Sequence, residues 1–136
     1  PETAILLSQK IAAGEFVVIV GDRTPVGKAP RAIWAPFLGR PAPFPEGPFI
    51  LAAILKCPVL LIFCLKHGNR FRIIFEPFSD AIEMPRARRR EVLSELVTRY
   101  AQRLEHHCLN NPYQWFNFFD FWNGAERVVV NEELRR

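Results

Sequence analysis

The spacing of apolar positions changes period along this chain, and each change marks an element boundary. "ETAILLSQKIAAG" reads as a helix that closes at Gly14, where a glycine can take the left-handed conformation. "EFVVIVGD" follows as an unbroken β-branched run, the pattern of a buried parallel strand. From Arg23 to Pro48 prolines and glycines punctuate the chain, which predicts a long loop with one short strand at "RAIWAP". The apolar run "PFILAAILKCPVLLIFCLKHG" is long enough to suggest a bilayer span. Lys56 at its middle and Pro58 two residues later argue for a helix over Gly47–Lys56 and then a buried strand over Pro58–Leu65. "KHGN" turns the chain into a further strand, "RFRIIFEPF".

Residues 87–107 carry one amphipathic stripe: Leu93, Leu96, Val97, Tyr100 and Leu104. Glu95 and Arg99 form an i,i+4 pair on the opposite side. The last pattern is the densest in rings. From Tyr113 to Trp122, seven of ten residues are aromatic. Asn111 as N-cap, Pro112 at the first helical position and Gln114 as capping-box partner predict a helix ending at Gly124. On it, Trp115, Phe118, Phe119 and Trp122 share a stripe and are expected to be buried. Phe116 and Phe121 lie off it, toward the side that carries Asn117 and Asp120. Such a helix is either enclosed on several sides or leaves rings exposed to lipid or a partner.

At 136 residues, 49% hydrophobic and 24% charged, the chain has the size and composition of one folded domain. A formal charge of +4 suits an acidic partner or an anionic membrane surface, and is too small to point to nucleic acid. "RARRR", residues 86–90, concentrates that charge at a helix start, where the dipole disfavours cations. It is either a solvated face or an anion-facing patch. Cys57, Cys64 and Cys108 have neither disulfide nor zinc spacing, and read as buried reduced thiols. No metal site or cofactor is expected. The opening directly on a helix, without Met, is the pattern of a fragment whose upstream part is missing.

"VVIVGDRTPVGKA" imitates a phosphate loop and fails it. Five residues separate Gly21 from Gly27 where four are needed, Ala29 follows Lys28, and Pro30 interrupts the helix. No serine lies in a nucleophile elbow. Asp22 and Arg23 would still sit at a strand's carboxyl edge, either as a site or as a local turn and ion pair.

Taken in order, "GEFVVIVGDRTP", "APFLGRPAPFPEGPFILA", "KCPVLLIF" and "YAQRLEHHCLNNPYQWFNFFDFW" resemble the carboxy-terminal part of the lysophospholipid-acyltransferase-like superfamily, on the branch of the late acyltransferases of lipid A biosynthesis. The resemblance covers nearly the whole chain. It implies an α/β domain with a mixed, mostly parallel sheet flanked by helices, residues 1–136 being the C-terminal part of a larger acyltransferase. It implies transfer of a fatty acyl group from acyl carrier protein or coenzyme A to a hydroxyl of a lipid or glycolipid acceptor. The setting would be the cytoplasmic face of a bacterial inner membrane.

The family's general base is a His with an acid five positions on. Here Arg72 follows His67 at that distance, Asn111 follows His106 and Pro112 follows His107, so no catalytic residue is assigned. The resemblance makes Asp22, Arg23 and Thr24 part of the active-site edge. It makes Phe37, Gly39, Phe44, Gly47 and Pro48 a loop lining the acyl or acceptor channel, with the glycines allowing close backbone approach. Arg86, Arg88, Arg89 and Arg90 would meet carrier protein or membrane, as would Phe116 and Phe121. Where the lipid A enzymes carry basic residues after the Pro-x-Gln-Trp-like element, this chain has "FNFFDFW", without a cation. A different acceptor is implied, as in acyltransferases of aryl-polyene or other specialised lipids. The competing reading is a non-catalytic module that binds lipid or carrier protein.

Overall fold

The computed structural model describes residues 2–23 and 31–122. Thr24, the Gly27–Pro30 end of the phosphate-loop imitation and Gly124 lie outside them. The element order is α1 (Glu2–Ala12), β1 (Ala32–Phe37), β2 (Arg40–Pro45), α2 (Gly47–Leu55), β3 (Val59–His67), β4 (Arg70–Ser79) and α3 (Arg89–Asn110). Short 3₁₀ turns precede α3 at Arg86–Arg88 and follow it at Pro112–Gln114.

The fold is mixed α/β, and both sheets are two-stranded antiparallel hairpins, β1–β2 and β3–β4. No parallel pairing occurs among the described residues. The segment expected to be a parallel strand, Glu15–Asp22, runs in no sheet. Its apolar side chains stand in the open, with Phe16 83% and Val18 76% exposed.

The supposed loop from Arg23 to Pro48 is mostly the β1–β2 hairpin. Prolines at 41, 43 and 45 caused the misreading. Successive residues of a strand direct their N–H groups to opposite edges, so prolines at every second position all lack a donor on the same edge. An edge strand needs none there. Leu38 and Gly39 close the hairpin with φ of 50° and 80°, the paired positive angles of a tight two-residue turn. The Leu38 N–H donates to Glu105 Oε1 at 2.6 Å, which pins the turn to α3.

The core lies between this hairpin and α3. Ala35 and Phe37 of β1 and Ala42 and Phe44 of β2 point inward. They meet Leu93, Leu96, Val97, Ala101 and Leu104, the stripe predicted for α3 and all buried. Phe37 and Phe44 stack edge to face with ring centres 5.5 Å apart. The Glu95–Arg99 pair does not form. Arg99 instead donates to the Phe78 carbonyl at 2.7 Å and lies over the Phe78 ring, so it ties α3 to β4.

The aromatic run is not a helix. After the 3₁₀ turn it continues as irregular chain. Asn111 does not cap it; its Nδ2 donates backward to the His107 carbonyl and finishes α3. Gln114 does not close a capping box. Its Nε2 donates to the Lys66 carbonyl at 3.0 Å and its Oε1 accepts from the Lys66 N–H at 2.6 Å, clipping the segment to β3. Rings and Asn/Asp are indifferent helix formers, and burial decides instead. Phe121 is 4% exposed, against the expected outward position. Phe118 is 91% exposed, against the expected burial. Phe119, at 44%, is also exposed against the expected burial, Trp115 and Trp122 are half-buried, and Phe116 is exposed as expected.

Candidate functional site: an apolar cleft with a polar corner

A cleft of about 700 Å³ is lined by Phe16–Asp22, one side of α2, strand β3 and the last turns of α3. Its walls are aliphatic and aromatic, and its volume falls in the range of small-molecule sites. Among the described residues the polar groups that reach it include Asp22, Tyr100, His107, Asn111 and Gln114.

Asp22 sits in a small hydrogen-bonded cluster. The Trp115 indole Nε1 donates to Asp22 Oδ2 at 3.1 Å. Arg23 forms an ion pair with Asp22 at 3.5 Å and donates to the Phe116 carbonyl at 3.1 Å. Its guanidinium also lies 5.0 Å from the centre of the Phe119 ring. The local ion pair and the position on the cleft therefore both hold. The aromatic segment lacks a cation of its own, yet receives Arg23 here and Arg40, which lies 5.9 Å from the Trp122 ring.

Among the described residues, Gly21 is the one glycine whose neighbours demand it. A Cβ there would come within 2.8 Å of the Tyr100 hydroxyl. Burial, reinforced by the Asp22 carboxylate, pushes the Tyr100 phenol well above its ordinary range, so it stays protonated. Burial, then Asp22, also pushes the Cys108 thiol up to about 11. Of the three cysteines only Cys108 is buried. Cys57 is half-buried and Cys64 exposed, which corrects the expectation for all three.

The channel-lining assignments need larger corrections. Phe37 and Phe44 are fully buried core residues of a hairpin and do not line the cleft. Gly39 and Gly47 give no close backbone approach, since a Cβ at either would meet nothing within 4 Å. Gly39 serves the turn, and Gly47 is the first residue of α2. Pro48 does line the cleft. Of the expected substrate residues, the cleft thus includes Asp22 and Pro48. Arg86, Arg88, Arg89 and Arg90 are all exposed. Arg88 is engaged by Glu91 at 2.9 Å. Arg86 and Arg89 border a second cavity of about 520 Å³, beside Ile50 and Ile54 of α2.

The group missed in the sequence is at the polar corner. Glu76 of β4 accepts two hydrogen bonds from Arg103, at 2.7 and 2.8 Å, and one from His107 Nε2, at 2.8 Å. The fork of Arg103, with help from His107 and against the effect of burial, lowers the Glu76 carboxyl to about 2. The His107 ring packs on Phe63, centre to centre 4.0 Å. His107 was tested only against an acid five positions on, whereas its acid lies 31 residues back on another element. Two signals were available. Glu76 falls on the inward register of β4, between Ile74 and Phe78, and Arg103 and His107 are i,i+4 on α3.

Among the described residues no group of three or more His, Cys, Asp or Glu could hold a metal ion, and no helix is long and apolar enough to cross a membrane. No family model, curated protein or solved structure matches the chain.

Proposed function

We propose that the chain is the substrate-shaping part of a membrane-associated acyltransferase, with the cleft as the seat of a fatty acyl chain. The full protein would move that acyl group from acyl carrier protein or coenzyme A to a hydroxyl of a lipid or glycolipid acceptor. The observation that carries this reading is the cleft itself: about 700 Å³, walled by Phe16, Val18, Val20 and β3, with Asp22 and His107 on its lining. An acyl chain needs a long apolar wall, and its reactive end needs a few placed polar groups.

Other features fit the same reading. Tyr113, Phe116 and Phe118 are exposed at 92%, 64% and 91%, with Arg23 beside them, a combination suited to the headgroup boundary of an anionic membrane. Arg86, Arg89 and Arg90 offer an acidic carrier protein a steering surface. Within a mostly parallel acyltransferase sheet, Glu15–Asp22 would be a strand still lacking its neighbours. A cytoplasmic-face location at a bacterial inner membrane belongs to this proposal. A non-catalytic lipid- or carrier-binding module is the second reading, favoured by the lack of a His-x4-acid motif in the sequence.

The test is titration of the chain with a fluorescent fatty acyl probe, followed by acyl-transfer assays on the chain and on a version carrying its upstream coding sequence. Saturable probe binding without transfer by the chain alone, and transfer by the longer version, is the expected result. Probe binding with no transfer by either favours the module. Absence of binding removes the acyl-site reading.

A further inference from the structure

Glu76, Arg103 and His107 do more than close a hydrogen-bond network. Both Glu76 oxygens accept from Arg103, so the carboxylate is ionised and cannot donate to the imidazole. His107 Nε2, 2.8 Å from Glu76 Oε1, must therefore carry the hydrogen of that bond. In the neutral ring the lone pair is then left on Nδ1.

Nδ1 makes no hydrogen bond to any described residue. The His107 residue is 9% exposed. His107 lines the apolar cleft, among Phe63, Leu104 and Cys108. With Nε2 engaged by Glu76, Nδ1 is the ring nitrogen left for a ligand, on a lining that is mostly hydrocarbon. In such surroundings a matched donor gains, and a ligand without one leaves the nitrogen unsatisfied.

We infer that His107 is the polar anchor of the cleft, and that it selects amphiphiles whose head carries a hydrogen-bond-donating hydroxyl. The inference deepens the reading of the cleft as a lipid site and rests on it. Glu76 is the positioning residue: it fixes which ring nitrogen faces the ligand. Arg103 keeps Glu76 ionised and turned toward the ring.

Two measurements test this on the 136-residue chain. Nitrogen NMR of the imidazoles reads the hydrogen positions directly, and His107 is expected to carry its hydrogen on Nε2. Competition for a fluorescent fatty acyl probe then compares dodecanol with methyl undecyl ether, which has the same number of heavy atoms and no donor. Dodecanol is expected to bind roughly five- to tenfold more tightly, the worth of one good hydrogen bond. His107→Phe keeps a ring against Phe63 and should erase that preference, so that alcohol and ether then compete equally. An Nδ1–H tautomer overturns the inference whatever the variant does. Equal binding of alcohol and ether, unaltered in His107→Phe, overturns the anchor and spares the cleft. Failure of both amphiphiles to compete removes the lipid site and the anchor with it.

Discussion

The Trp115 indole donates to the Asp22 carboxylate across 3.1 Å of space and 93 residues of chain. That bond joins the end of the apolar Glu15–Asp22 segment to the aromatic run, and both Asp22 and Trp115 line the cleft. Trp115 also packs edge to face on Phe37 and Phe121, at 5.1 and 5.2 Å. Trp115→Ala should therefore cost about 3 kcal/mol, the low end for a large ring because this one is only half-buried. Trp115→Phe keeps the packing and loses the bond to Asp22, and should cost about 1 kcal/mol. Chemical denaturation of both variants checks the difference. Equal losses would show that the bond contributes nothing.

The aromatic run separates into a packed part and an open part. Phe121, at 4% exposure among Phe37, Phe44 and Trp122, should lose about 3–5 kcal/mol on truncation to Ala. Phe116→Ala and Phe118→Ala should stay within about 0.5 kcal/mol of the parent. The same two changes should weaken sedimentation with anionic vesicles if these rings meet the membrane. Unchanged vesicle binding in the double variant would remove them from the membrane surface.

How much of this was legible in the sequence depends on the range of the deciding interaction. α1, α2, β4 and α3 were readable because each carries its own period, and their ends fall within a few residues of the expected ones. The stripe from Leu93 to Leu104 predicted its own burial. The aromatic run failed because its conformation is set by distant partners: Lys66 for Gln114, Asp22 for Trp115, Phe37 for Phe121. Strand β1 was legible as "RAIWAP"; β2 was not, because its prolines at 41, 43 and 45 look like breakers although all three lack a donor on one edge. Of the candidate cleft, "GDR" contributes Asp22, which does reach its lining. Glu76 with His107 was not legible, because a motif read along the chain does not register an acid from a neighbouring strand.

The Glu76 cluster sets a pH dependence with a definite sign. Its carboxyl lies at about 2 in the folded chain against an ordinary 4.5. A depressed folded value means the contribution is fully present above about 4.5 and is lost as pH falls through that window toward 2. Thermal melts should therefore show an acid limb between those values, flattened in Glu76→Gln. At neutral pH the same variant should be less stable by on the order of 1–2 kcal/mol, allowing for solvent screening of a partly exposed pair. An acid limb identical in the variant would assign it to other carboxylates.

The basic cluster divides by partner. Arg88 is paired with Glu91 on the surface, and Arg88→Ala should change stability by less than about 0.5 kcal/mol. Arg86, Arg89 and Arg90 form no ion pair among the described residues. Their joint replacement by Glu should weaken binding to an acidic carrier protein several-fold at low salt and little at high salt, as screening requires. A folded variant with unaltered affinity at low salt would return the cluster to an ordinary solvated face.

The thiols give the most direct check of the cleft's wall. Cys64 lies on the exposed face of β3, in register with Ile73. Cys108 is buried on the cleft, its thiol pushed up to about 11 by burial and by the Asp22 carboxylate. The thiolate is the reactive form, so at pH 8 a thiol at that value is nearly all protonated, and little of it is accessible. A disulfide reagent should modify Cys64 within the mixing phase and half-buried Cys57 more slowly. Cys108 should react only when the chain unfolds. An apolar ligand seated in the cleft should lower Cys108 modification further under partly denaturing conditions, and should also slow modification of Cys57 and Cys64, which line the same cleft. Rapid labelling of Cys108 in the folded chain, located by peptide mass spectrometry, would mean that the packing of α3 against the cleft is looser than its 6% exposure implies.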